Sequence, residues 1–168
     1  MIVNPAAARG QALRSLPATL DELRAEGAEY RVVHSQSLDH AREEAASAAA
    51  NGESVLALGG DGLVGALAAA LSGSGAALVI VASGRGNDFA RVLGLPRDPV
   101  AAARLAVRGD TRLVDLGEVD GTPFVGIASV GIDSDTNRIA MRTRLVSGRL
   151  VYFYACLLYT SPSPRDRS

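Results

Sequence analysis

The sequence predicts an α/β fold, a parallel sheet flanked by helices, followed by the start of a second, β-rich domain. Three observations carry this. Short apolar runs alternate with segments of helical period through the first 109 residues, the pattern of parallel strands joined by crossover helices. Two of the runs end in glycine-rich turns, Gly59-Gly60-Asp61-Gly62 and Gly84-Arg85-Gly86-Asn87-Asp88, each leading to a helix start. After Gly109 the alternation stops, and two strand-like segments flank Asp120-Gly121, a hairpin signal.

Taken in order, Met1 to Val3 is a short apolar start before Asn4-Pro5. Gln11 to Glu26 places Leu13, Leu16, Leu20 and Leu23 near helical spacing, with Gly27 as the stop. Pro17 disfavours the first turn and moves the expected helix start to about Leu16. Glu29 to Val33 reads as a strand. Leu38 to Asn51 is an alanine-rich helix ended by Gly52. Ser54 to Leu58 is the next strand, Leu63 to Leu71 a helix of small residues, and Ala77 to Ala82 a strand rich in β-branched residues. Asn87 or Asp88 suits the cap of the helix that follows. Pro99 to Val107 is a helix with proline at an early position. Thr111 to Val119 and Thr122 to Ser129 are the expected hairpin strands. The domain limits on this reading are residues 1–109 and 110–155.

Composition narrows the function. The chain has 168 residues, 48% of them hydrophobic, enough for one core. A net charge of −1 gives no nucleic-acid footprint. All seventeen basic residues are arginine. The absence of lysine excludes a Walker-type phosphate loop and Schiff-base chemistry. No apolar run approaches the ~20 residues of a membrane span, and no secretion signal is evident, so a cytoplasmic setting is the expectation. Cys156 is the single cysteine, which leaves no internal disulfide and no cysteine-based zinc site.

The glycine turns carry the chemistry. Glycine lets bare backbone N–H groups approach an anion, and a helix N-terminus adds partial positive charge. Asp61 is the odd member of its turn. A carboxylate beside phosphates repels them unless a metal lies between or it holds a hydroxyl. The turn therefore points to a nucleotide phosphate site, with Asp61 handling a metal or a proton. In a parallel sheet, ligands sit at the carboxyl ends of strands, so the second turn would bring Asp88 to the same edge. An N-cap is the plainer role for Asp88. Neither turn has the G-x-G-x-x-G of a dinucleotide-binding dehydrogenase. His34 and His40 lack ligand partners at metal spacing and read as solvated or capping. Arg138, Arg142, Arg144 and Arg149 form a basic segment that could meet anionic lipid or simply be solvated. Asp133 and Asp135 read as turn residues.

With both turns placed, the chain resembles the diacylglycerol kinase catalytic-domain family, which includes bacterial lipid kinases and the sphingosine kinases. Asn4–Gly10, Leu58–Gly62, Gly84–Arg91 and Arg112–Ala140 carry the resemblance. It implies ATP-dependent phosphorylation of a lipid hydroxyl with Mg²⁺, in a cleft between an N-terminal α/β domain and a β-rich domain. It also implies a lipid substrate, peripheral contact with the inner membrane surface and a homodimer at full length. Asn4 would lie near the nucleotide. Gly59, Gly60, Asp61 and Gly62 would hold phosphates and metal, and Gly84, Arg85, Gly86, Asn87 and Asp88 would flank the same cleft. Asp61 and Asp88 are the candidate catalytic residues, and Asp61 the candidate metal ligand. The chain departs from the family pattern at Leu63, Gly65 and Ala66, where threonine, asparagine and glutamate are usual, and at Arg85, where threonine is usual. Arg85 could replace a hydroxyl contact with a charge-assisted one to phosphate. Nothing after Ser129 matches the acidic motif that supplies the family's proposed general base. The fragment is therefore expected to be inactive. Kinases of NAD or of sugar phosphates that share the GGDG turn, and a non-catalytic nucleotide-binding regulator, are the alternatives.

Composition changes abruptly at Cys156. Cys156 to Asp166 matches the translation of a transposon-end adapter from shotgun sequencing libraries, so residues 156–168 are expected to be non-native and to lack stable packing.

Overall fold

A computed structural model of the chain describes residues 1–126. It contains a four-stranded parallel sheet in the order β2-β1-β3-β4. The strands are β1 (Ile2–Val3), β2 (Val33–His34), β3 (Val55–Gly59) and β4 (Leu78–Ala82). The longest pairing runs from Val55 opposite Leu78 to Gly59 opposite Ala82.

Side-chain alternation along these strands divides the core into two layers. Ile2, Val55, Ala57 and Ile80 face α2 (Leu38–Ala50) and α3 (Asp61–Leu71). Val3, Leu56, Leu58 and Val81 face α1 (Gln11–Ala25) and α5 (Pro99–Arg108). Both faces of the sheet are therefore covered, which explains why β3 is apolar at every position from Val55 to Leu58.

Small residues set the helix spacing. Ala41, Ala45 and Ala48 of α2 are buried against the sheet layer. On the other face, Ala12 of α1 and Ala102 and Ala103 of α5 are almost fully enclosed. Arg104 and Arg108 of α5 close that seam by ion pairs to Glu22 and Glu26. Ala103→Leu should overpack it and cost about 1–3 kcal/mol, read as a lower urea midpoint with an unchanged slope.

Several elements differ from the sequence expectation. The first helix begins at Gln11 and runs through Pro17. Pro17 lies on the exposed side of α1, where the carbonyl that loses its donor can turn to water. Its buried stripe is Ala12, Ser15, Thr19 and Leu23; of the other expected leucines, Leu16 is partly buried against the core and Leu13 is exposed. Close packing against α5 favours the smaller side chains. The fully buried Thr19 hydroxyl donates to the Ser15 carbonyl. The expected strand at Glu29–Val33 is reduced to Val33–His34, held by Val33 N–H to Met1 O and Ser35 N–H to Val3 O. Beyond these bonds, the Met1 ammonium donates to the Arg31 carbonyl at 2.8 Å, and β1 offers this segment no longer partner.

The expected hairpin forms, with shorter strands. β5 (Gly117–Val119) and β6 (Thr122–Phe124) pair antiparallel in a sheet of their own. Asp120 and Gly121 both have positive φ, 49° and 71°, the turn geometry whose twist suits a two-residue hairpin. Residues 111–116 form no strand. The readings placed on residues 127–168, including the basic segment, Asp133, Asp135 and the tail, lie outside the described residues.

Candidate functional site

The carboxyl ends of β1, β3 and β4 bring three turns to one edge of the sheet. Asn4 ends β1, and its N–H donates to the Leu58 carbonyl at 3.1 Å. Its side-chain Oδ1 accepts the Ala6 N–H at 3.0 Å, closing the turn. A Cβ built on Gly59 would lie 3.5 Å from Asn4 Cβ, so Asn4 borders the first glycine turn directly. Gly59 itself is buried in β3, and a Cβ there would meet Leu63 Cδ2 at 2.8 Å.

The two glycine turns touch. A Cβ on Gly84 would come within 2.5 Å of Gly60 Cα, and one on Gly60 within 3.0 Å of Gly84 Cα. No side chain fits at that crossing, because backbone meets backbone on both sides. Ser83 N–H donates to the Gly59 carbonyl at 2.8 Å and pins the crossing to the sheet.

At the start of α3, Gly60 O accepts the N–H groups of both Leu63 and Val64. The N–H groups of Asp61 and Gly62 have no acceptor among the described residues, and no side chain caps the helix. Gly62 is exposed and a Cβ there would meet open space. In the second turn, the Arg85 and Gly86 N–H groups likewise lack an acceptor among the described residues. The Arg85 side chain is exposed and has no ion-pair partner among them. Among the described residues, the edge thus presents donors without acceptors, a helix N-terminus and the Arg85 guanidinium, a combination suited to an anion.

The acidic residues converge on Gly86. A Cβ on Gly86 would sit 3.1 Å from Asp61 Oδ2 and 3.2 Å from Asp88 Oδ2. Asp88 also forms an ion pair with Arg91, one turn along α4 (Asp88–Val92). No third His, Cys, Asp or Glu joins the pair as a metal-binding cluster among the described residues.

The capping of α4 is not the one expected. Asn87 precedes the helix with φ of 52°, but its side chain turns back to Gly84. Its Oδ1 accepts the Gly84 N–H at 2.8 Å, and its Nδ2 donates to the Gly84 carbonyl at 3.1 Å. The α4 N-terminus is met instead by Asp61, whose Oδ1 accepts the Phe89 N–H at 3.3 Å. Asp61 therefore ties the two turns together with one oxygen and keeps the other beside Gly86. No local sequence signal marks this bond, since its partners are 28 residues apart.

His34 ends β2 opposite Val3, at the same carboxyl edge of the sheet, and neither histidine belongs to a metal-binding cluster among the described residues. His34 is exposed, and His40 Nδ1 accepts the Gln36 N–H at the start of α2.

A groove of about 620 Å³ opens from Asp61 and Gly62 along α3 to the β5–β6 hairpin. Gly65 and Ala66 line it, two of the positions where the sequence departs from the family pattern. A Cβ on Gly65 would lie 3.7 Å from Val125 Cγ2, so the hairpin side of the groove is close to the helix.

Comparison with known proteins bears on this edge. A family model described as the diacylglycerol kinase catalytic domain matches residues 1–119. A diacylglycerol kinase of Mycobacterium tuberculosis is 34% identical over 163 residues, covering 93% of this chain and 53% of the relative. One from Bacillus subtilis is 32% identical over 103 residues, covering 59% of this chain and 34% of the relative. A solved structure of a diacylglycerol kinase from Bacillus anthracis str. Sterne superposes with a TM-score of 0.65 at 28% identity, covering 74% of this chain and 46% of that one. The chain thus spans about half the length of the first of these relatives. Sequence and fold agree, and the chain belongs to the diacylglycerol kinase catalytic domain family.

Proposed function

We propose that this chain is the nucleotide-binding part of an ATP-dependent lipid kinase that phosphorylates a hydroxyl of diacylglycerol or a related lipid. The observation that carries the proposal is the shared edge. The N–H groups of Asp61, Gly62, Arg85 and Gly86, without acceptors among the described residues, lie beside the carboxylates of Asp61 and Asp88, at strand ends where ligands bind in parallel sheets. On this reading the N–H groups and Arg85 hold phosphate oxygens. Asn4 borders the nucleotide, with its Nδ2 free of acceptors among the described residues. Gly59, Gly60, Gly84 and Asn87 give the edge its shape.

The donor set fits Mg²⁺. That ion takes one or two carboxylates together with phosphate oxygens and waters, and Asp61 and Asp88 supply two. When bound, it would offset charge between the carboxylates and the phosphates. Asp61 then positions the reacting groups, fixed in place by its bond to Phe89 N–H. Phosphoryl transfer depends mostly on such positioning and charge stabilisation. The remaining requirement, a general base for the lipid hydroxyl, has no counterpart in this sequence. Nucleotide binding without turnover is the expected behaviour of the 168-residue chain. The division into a nucleotide domain over residues 1–109 and a β-rich domain from residue 110, the membrane-surface location and a full-length homodimer belong to the same proposal.

Titration calorimetry of the chain with ATP, with and without Mg²⁺, tests the binding part. Tight binding that requires Mg²⁺ supports the proposal, and no binding in either condition overturns it. For a chain extended to the length of its relatives, phosphate transfer from labelled ATP should appear on diacylglycerol rather than on NAD or a sugar phosphate. Binding without transfer to any of them would make the protein a nucleotide-binding regulator.

A further inference from the structure

We propose that His40 is a pH-sensitive cap of α2, and that protonation of its imidazole loosens the turn between β2 and α2 that is bonded to the Val3–Asn4 peptide. The proposal goes beyond the kinase reading above and stands or falls separately from it.

The turn is held by reciprocal bonds. Ser37 precedes α2 with extended backbone, and its Oγ accepts the His40 N–H at 3.0 Å. In return, His40 Nδ1 accepts the Gln36 N–H at 3.2 Å. This is the logic of a capping box, with imidazole where glutamate or glutamine is usual. The exchange changes the chemistry. A glutamine amide accepts at every pH, whereas Nδ1 accepts only while the ring is neutral and its proton sits on Nε2. Protonation puts an N–H on Nδ1, facing the N–H of Gln36, so that bond must open. It also places a cation in the first turn of a helix, where the backbone partial charge is positive.

One group favours the imidazolium. His40 Nε2 lies 3.8 Å from Glu44 Oε1, one turn along α2, and the two side chains are 31% and 30% exposed. The other Glu44 oxygen is taken by Arg31 at 2.8 Å, a hydrogen bond that holds the Glu44 carboxyl below its ordinary value. Glu44 therefore stays ionised while histidine titrates. A cation placed before an acid at this spacing is the weaker order, and an exposed 3.8 Å contact gains less than the lost N–H bond costs. The other charges on α2 are Asp39, Arg42 and Glu43, of which Asp39 and Arg42 pair with each other. Asp61 is the only charged residue of α3, the helix packed along α2, and it lies on the groove shared with Arg42 and Glu43. Neither β1 nor β3 carries a charged side chain, and Glu53 joins this group only through Arg31.

The turn meets the sheet edge at one peptide group. Ser35 donates both its N–H, at 2.8 Å, and its Oγ, at 3.1 Å, to the Val3 carbonyl. The same peptide carries the Asn4 N–H, which donates to the Leu58 carbonyl. Linked hydrogen bonds polarise one another, so a shift of residues 35–37 is felt at Asn4, beside the first glycine turn.

The test titrates the ¹⁵N-labelled 168-residue chain from pH 8 to pH 5 by NMR, following the His40 ring through its Hε1 proton. The Gln36 amide proton should move upfield as its bond is lost, with the midpoint of the His40 ring, and the Ser35 and Asn4 amides should titrate with it. Backbone order parameters of residues 36–39 should fall at pH 5 from the ~0.85 of rigid backbone. His40→Gln keeps an acceptor at every pH and should abolish these transitions while retaining the order seen at pH 8. His40→Ala removes the acceptor and should show at pH 8 the low order that the parent reaches only at pH 5. His34→Gln, at the only other histidine, should leave the transitions in place. The Met1 ammonium is drawn below its ordinary value by burial and then by the Arg31 charge, but it titrates at the other end of β1 and its transition should survive His40→Gln. The proposal fails if Gln36 and Asn4 follow a midpoint other than that of His40, or if His40→Gln titrates as the parent does. It also fails if residues 36–39 keep or gain order at pH 5, as they would if the His40–Glu44 contact governed the turn.

Discussion

Asp61→Asn is expected to lower turnover of a chain extended to the length of its relatives by about 10²–10³-fold, with the fold unchanged. The structure makes this substitution unusually discriminating. Asp61 has two roles on two oxygens, one accepting the Phe89 N–H and the other facing Gly86 beside Asp88. Asparagine keeps a carbonyl oxygen for the Phe89 N–H and removes only the charge. Asp61→Ala removes both, and should add a stability loss of about 0.5–2 kcal/mol from the uncapped α4. The comparison separates chemistry from architecture. In the 168-residue chain, Asp61→Asn should lose the Mg²⁺-dependent part of ATP binding in calorimetry. Unchanged metal dependence and near-normal turnover would show that Asp61 only ties the turns together.

Gly84→Ala should disrupt the site from the other direction. Its φ is not in the left-handed region, so the substitution carries no conformational penalty of its own. The new methyl group would lie 2.5 Å from Gly60 Cα and 2.7 Å from Asn87 Oδ1. Neither backbone can yield without separating the turns, so a cost of about 1–3 kcal/mol and at least a tenfold loss of ATP affinity are expected. Gly86→Ala is the informative contrast. Its methyl group would meet carboxylate oxygens at 3.1 and 3.2 Å, and side chains can move where backbone cannot. It should keep most of the stability and alter Mg²⁺ dependence instead. Urea unfolding and calorimetry on both variants check the pair. Equal stability loss in the two would mean that the turn crossing is not the constraint described here.

Much of this was legible in the residues. The apolar run at Val55–Leu58 and the β-branched run at Val79–Val81 required buried parallel strands, because only a sheet covered on both faces tolerates apolar side chains at consecutive positions. Glycines followed by a helical period located both turns. Asp120-Gly121 fixed the hairpin, since few residue pairs accept two positive φ values. In each case the determinant is local, a side-chain period or a backbone preference that neighbours in sequence express by themselves.

The remainder depended on which elements meet in space. The leucines of α1 suggested its buried stripe; Leu23 is buried, but the close approach of α5 also buried Ala12, Ser15 and Thr19 and left Leu13 exposed. Asn87 and Asp88 suggested a local cap, but Asp61 supplies it from 28 residues away. Gly60 and Gly84 suggested room for a phosphate, and the structure adds that each also makes room for the other. Gly65 was a departure from a motif until the structure placed Val125 across from it, 3.7 Å from where a Cβ would lie. The sequence by itself determined the order of strands and helices and the chemistry available at the turns. Only the tertiary structure decided which residues share a site, because contact between distant segments follows from how the layers pack and leaves no period or spacing in the chain.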